Sequence, residues 1–155
     1  VEACVSNLHE LDAYLVGLLG KLQAPQRRAL ARAIAVELRR RQSARIAAQR
    51  NPDGTAYEPR KPQLRHKRGG IRRSMFTRLR MAKYMRIEAS PNAAVITFAG
   101  KVRRIASVHH FGLQDRVNKN GLTAKYAARE LLGLDDVDVA TIADALLGHI
   151  PLGRH

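Results

Sequence analysis

KYMRIEASPNAAVITFAG, residues 83–100, decides the fold class. Met85, Ile87 and Ala89 alternate with polar neighbours, Ser90-Pro91-Asn92 supplies turn chemistry, and Val95 to Phe98 is a β-rich return run. A period of two predicts an antiparallel hairpin with one buried face. The segments around it carry the helical period instead. The expectation is therefore an α+β protein: several helices, one of them long and Arg-rich, packed with a small antiparallel hairpin or sheet.

Beyond the hairpin, KVRRIASVHHFG predicts a short helix with Val102, Ile105, Ala106 and His109 on one stripe and Gly112 as its stop. GLQDRVNKNGLTAKY reads as a polar loop, and Ala127 to Leu134 is apolar apart from Arg129 and Glu130. DDVDVATIADALLGHI opens with acidic residues, which a helix amino end favours. Ile142, Ala143, Leu146, Leu147 and Ile150 would form its buried face.

Before the hairpin, IRRSMFTRLRMAKYM predicts a short amphipathic helix on Ile71, Met75, Leu79 and Ala82. A long helix is expected over roughly residues 25–49, with Leu30, Ala31, Ile34, Ala35 and Leu38 as its stripe and Pro25 in its first turn. Arg28, Arg32 and Arg39 fall on the opposite, solvated side. Arg41 and Arg45 instead continue the line of Leu30 and Ile34. Either their stems cover apolar surface while the guanidinium groups reach water, or they meet another chain. SNLHELDAYLVGLLGKL predicts one more helix, capped by Ser6 or Asn7, with Leu8, Leu11, Leu15, Leu18 and Leu22 in a stripe.

Residues 50–70 form an extended basic loop in this reading. Asn51-Pro52-Asp53-Gly54 matches a type I turn, and Pro59 and Pro62 favour an extended path carrying Arg60, Lys61, Arg65, Lys67 and Arg68. The net charge is +15, and it is unevenly spread. Residues 27–104 carry 22 Lys or Arg against 4 Asp or Glu, a local +18, whereas the remainder carries 6 against 9, a local −3. Such asymmetry calls for a polyanion or an acidic protein surface as neighbour.

At 155 residues a single domain over residues 1–155 is expected, with no apolar run long enough for a membrane span. The amino end has no secretory signature, and the lone Cys4 excludes an intrachain disulfide and fits a reducing cytosol. No convergent acid, base or nucleophile set is apparent, so the chain does not read as an enzyme, and no cofactor is called for. Adjacent His109 and His110 point to different helix faces and so do not chelate one metal; one core and one surface histidine are expected. A sequence-indifferent nucleic-acid-binding protein is the rival reading, with Arg72, Arg73, Arg78, Arg80, Arg103 and Arg104 as DNA-facing candidates. Against it, aromatics make up only 5% of the chain and there is no Trp to act as a stacking platform.

The NPDG-x-x-Y-x-P-R-K stretch at 51–61, the hairpin ending in VITFAG, and H-x-F-G…Y-x-A-R-E-L-L-G at 109–133 together resemble the phage virion morphogenesis family of Peduovirus-type contractile-tailed phages. The likeness runs over nearly the whole chain. It implies a virion structural protein of the tail or neck, made in the host bacterial cytoplasm, that closes the finished tail and readies it for the head. Copies of itself in a ring, other neck and tail proteins (tail terminator, head completion proteins, tail tube or sheath) and packaged DNA are the implied partners; a membrane is not. On this reading Arg41, Arg45, Tyr57, Arg60, Lys61, Arg65, Lys67 and Arg68 face a neighbouring subunit. Asn51, Pro52, Asp53, Gly54, His109, Phe111, Gly112, Tyr126 and Arg129 form the structural motif.

Overall fold

The computed structural model describes residues 16–17, 20, 22–60, 74–116 and 123–149. Its hairpin pairs β1 (Met85–Ser90) with β2 (Ala93–Phe98) around Pro91-Asn92, in the register Met85↔Phe98 through Ser90↔Ala93. Met85, Ile87 and Ala89 therefore share one face with Phe98 and Ile96, and Met85 and Phe98 are buried on it. That face packs across α1 (Ala24–Ala47), the long helix. The α+β class is thus established, with three helices and two two-stranded antiparallel sheets among the described residues.

Leu30, Leu38, Gln42 and Ile46 are buried along α1 at multiples of four, with Ile34 half-buried in the same row, so one ridge of the helix faces the hairpin. Pro25 lies in the first turn, and Gln23 and Gln26 cap it reciprocally. At its other end Gln49 takes a positive φ of 59°, which is strained for a residue with a Cβ. Its side-chain amide compensates by donating to the Met75 carbonyl at 2.9 Å and accepting from the Met75 N–H at 2.7 Å.

That amide clamp is one reason the helix expected on Ile71, Met75, Leu79 and Ala82 is not found. Residues 71–73 lie outside the described part, and residues 74–84 run as successive turns, with Phe76 also at positive φ (61°). Met75 and Leu79 still reach the core, but Ala82 is exposed. The apolar spacing was real, and the backbone that delivers it is not helical. Of the first expected helix, Val16, Gly17 and Gly20 are helical and Leu22 is buried, while Leu8, Leu11, Leu15 and Leu18 lie outside the described residues.

Helix α2 (Gly100–Phe111) ends at Gly112 in the left-handed conformation (φ 65°), and the Leu113 N–H reaches back to the Val108 carbonyl at 2.9 Å. Val108 is buried, whereas Ile105, expected inside, is 51% exposed. The segment expected as a polar loop contains a second hairpin, β3 (Gln114–Arg116) with β4 (Thr123–Lys125). Helix α3 (Asp136–His149) packs on α1, with Ile142, Ala145 and Leu146 half-buried, but Ala143 and Leu147 are exposed rather than buried, and Ile150 lies outside the described residues. The central core joins Ile46, Met85, Phe98 and Ala106, from α1, the first hairpin and α2, with Tyr57, Met75, Leu79 and Leu131 from the connecting segments.

Candidate functional surface

The Asn51-Pro52-Asp53-Gly54 turn closes through a Gly54 N–H to Asn51 carbonyl bond of 3.0 Å, and Gly54 has a φ of 82°. The Asp53 carboxylate accepts from the Thr55 hydroxyl and, at 2.9 Å, from the Thr55 N–H, which together hold it below the usual carboxylate range. The Asn51 amide then looks both ways, donating to the Thr55 hydroxyl (3.0 Å) and accepting from the Glu130 N–H (2.9 Å). Pro52 rests directly on Gly133, where an added Cβ would sit 2.5 Å from the Pro52 Cγ.

Arg129 completes this clasp. It is buried and donates from Nε to the Glu58 carbonyl (2.8 Å) and from Nη2 to the Pro59 carbonyl (3.2 Å). Its own N–H goes to the His109 carbonyl at 2.7 Å. Two of the stretches that carry the family resemblance, 51–61 and 109–133, are therefore each other's binding partners. Tyr57, expected to meet a neighbouring subunit, is instead 5% exposed in the core. Its ring meets Phe76 edge-on at 6.0 Å, and burial pushes its hydroxyl up to about 12.

His109 is wedged between the rings of Phe76 (4.9 Å) and Tyr126 (4.8 Å), and its Nδ1 has no partner among the described residues. Burial, then the cations of Arg129 and Arg60, lower its pKa against a smaller opposing pull from Asp115. His110 is not a free surface histidine, because its Nδ1 accepts the Leu131 N–H at 3.1 Å. Phe111, assigned to the structural motif, is 66% exposed and touches His110 edge-on.

Arg41 and Arg45 turn inward as well, onto carboxylates of the chain itself. Arg45 donates to Asp135 (3.1 Å) and Asp138 (3.0 Å), and Arg41 pairs with the same two carboxylates. Buried Gln42 lies beside them, donating to the Gly133 carbonyl at 2.6 Å. Asp138, itself 0% exposed, and Asp135 also cap each other's backbone N–H groups at the start of α3. Partial burial pushes the Asp135 carboxyl up, but the Asp138 N–H and the two guanidinium groups outweigh it and hold it low. The acidic residues at 135–138 thus do more than cap: they fasten α3 to α1.

With those cations consumed internally, the outward charge is narrower than the sequence suggests. Arg78, Arg80, Lys83 and Arg86 are exposed along one run, which the Ser43 hydroxyl meets at the Arg80 carbonyl (3.4 Å). Arg60 and Arg103 are exposed, and Arg104 is exposed while paired with Asp115. Lys61, Arg65, Lys67, Arg68, Arg72 and Arg73 lie outside the described residues. Among the described residues no His, Cys, Asp or Glu group is arranged to hold a metal, and no helix is long and apolar enough to cross a membrane.

The profile of the phage virion morphogenesis family matches residues 6–151. The chain is also similar to tail completion protein S of Escherichia phage P2, with 42% identity over 148 residues, covering 94% of this chain and 99% of that protein. No solved structure matches it.

Proposed function

Because the chain belongs to the phage virion morphogenesis family, we propose that it is a non-enzymatic structural component of the virion. It acts at the tail or neck, completing the tail for head joining as a ring of identical copies. The observation that carries this is similarity to a tail completion protein along 94% of the chain. The geometry agrees with it in kind. Arg41, Arg45, Gln42, Asp135 and Asp138, the largest set of polar side chains that converges inside the molecule, bond to one another and to the Gly133 carbonyl, which supports a scaffolding role for them.

The exposed cations are then left for partners. In this reading Arg60 and the basic residues that follow it lie against an acidic neighbour in the neck. The run Arg78, Arg80, Lys83 and Arg86 supports a second reading, contact with DNA phosphates without sequence preference.

The test is complementation of a phage lacking this protein, with Arg60, Lys61, Arg65 and Arg68 all reversed to Glu. Circular dichroism of the isolated variant should show that the chain still folds. Lysates should contain separate heads and tails by electron microscopy. Normal phage yield would remove the loop from the mechanism. Normal yield from a phage lacking the protein altogether would remove the function.

A further inference from the structure

The arginines that α1 leaves outside form a row. Arg28, Arg32, Arg39 and Ser43 stand at i, i+4, i+11 and i+15, which at about 100° per residue brings them within roughly 60° of one another. Arg28 and Arg32 are exposed and Arg39 is half-buried. None of the three has a carboxylate partner among the described residues. Glu37, the only carboxylate of α1, lies across the helix and is taken by Arg40 at 2.6 Å. From Arg28 to Arg39 the row rises about 16 Å, at about 1.5 Å per residue.

The row leads beyond the helix. At Ser43, whose hydroxyl meets the Arg80 carbonyl (3.4 Å), it reaches the turn segment that displays Arg78, Arg80 and Lys83. That segment is anchored on both counts: Leu79, between the two arginines, is buried, and the Gln49 amide at the end of α1 holds Met75. Arg80 also has no carboxylate partner among the described residues. Val36 and Met81 are the exposed large apolar side chains of α1 and this segment. The segment's rings, Phe76 and Tyr84, are half-buried, and Lys83 lies over that of Tyr84.

We infer that Arg28, Arg32 and Arg39, with Arg80, bind the phosphate backbone of duplex DNA. A duplex carries one negative charge per about 1.7 Å of axis, so a row of about 16 Å meets some ten phosphates, ample for four guanidinium groups. A guanidinium fork also matches phosphate geometry. A protein contact would call for an apolar centre, which a lone valine and a lone methionine on separate segments do not make. Single-stranded bases would call for exposed rings to stack on. Contacts to the backbone alone carry no sequence information, so the binding is sequence-indifferent. The inference rests on the DNA-contact reading above and moves its centre from the run at 78–86 to α1.

Fluorescence anisotropy of a labelled random-sequence DNA duplex, titrated with the purified full-length chain over a series of salt concentrations, tests this. Each phosphate contact contributes about 0.9 to the log–log salt slope. R28Q/R32Q/R39Q should therefore lower its magnitude by about 2.7, and R80Q alone by about 0.9. Circular dichroism checks that each variant is folded. Should loss of the half-buried Arg39 unfold the triple variant, R28Q/R32Q touches exposed positions only and should lower the slope by about 1.8. R78Q/K83Q/R86Q probes the underlying reading. If it removes the salt dependence while the α1 variants keep the wild-type slope, the row is wrong and contact with DNA stands. If the α1 variants bind the duplex as wild type does yet block tail completion in complementation, the row faces protein and the inference is overturned. A wild-type chain that leaves the duplex unbound even at low salt overturns row and DNA contact together.

Discussion

Asp138→Ala is the substitution whose cost the structure makes most definite. The carboxylate is 0% exposed and accepts from Arg41 Nε, from Arg45 Nη1 at 3.0 Å, from Gln42 Nε2 at 3.3 Å and from the Asp135 N–H at 3.2 Å. Removing it strands an Arg45 side chain that is only 9% exposed. Breaking a buried pair from one side costs about 3–5 kcal/mol, because the remaining charge stays desolvated. Asp135 moderates that, since it still meets Arg45 at 3.1 Å and Arg41 at 3.3 Å. A loss of about 2–4 kcal/mol is the expected result, against a typical domain stability of about 5–15 kcal/mol.

Urea denaturation reads this as a lowered midpoint at constant slope, and thermal melting as a fall of roughly 4–16 °C at about 2–4 °C per kcal/mol for a chain of this size. A control separates the stranded charge from lost packing. Replacing both partners, Arg45→Met with Asp138→Leu, removes the uncompensated ion and should recover much of the loss. A loss below about 1 kcal/mol for D138A would put the cluster in the class of weak surface pairs and refute the reasoning.

Gly133→Ala should cost about 1–3 kcal/mol, since its Cβ would collide with a Pro52 ring held in a turn; Pro52→Ala should relieve most of that when combined with it, as urea midpoints of the four chains would show. Additive losses would mean that the two residues do not touch. His109 binds a proton less readily in the folded chain than its ordinary value of 6.5, so the unfolded state takes up more protons below that value. Stability should therefore be full above about pH 6.5 and decline as pH falls through the lowered folded value, and H109Q should flatten that decline; an unchanged pH profile in H109Q would assign the acid limb to other groups.

Legibility in the sequence followed the range of the interactions. The hairpin could be read because alternation and a two-residue turn are local, and the long helix because 24 residues repeat one apolar ridge. The segment before the hairpin could not, because its path is set from outside, by the Gln49 amide 26 residues earlier holding Met75. Similarly, Val108 is buried although it lies off the stripe of Val102, Ala106 and His109, just before the chain turns back at Gly112. Position on a face was inferred correctly for Arg41 and Arg45. Their partners lie some 90 residues away, and no spacing rule connects them. The available signal was the coincidence of two arginines on an apolar face with three aspartates opening a later helix.

That coincidence changes what the charge of +15 means. Arg41, Arg45 and Arg129 are spent on the chain's own carboxylates and carbonyls, so the total overstates what a partner meets. The same accounting applies to the motifs. Asn51, Pro52 and Tyr57 bind Glu130 and Gly133, and Arg129 binds Glu58 and Pro59, so the stretches by which the family is recognised fasten one part of the fold to another. Residues committed in this way are occupied in the free chain, before any neighbour arrives. In the proposed function, choice of partner is then left to side chains that the fold turns outward, among the described residues Arg60 and the cations from Arg78 to Arg86.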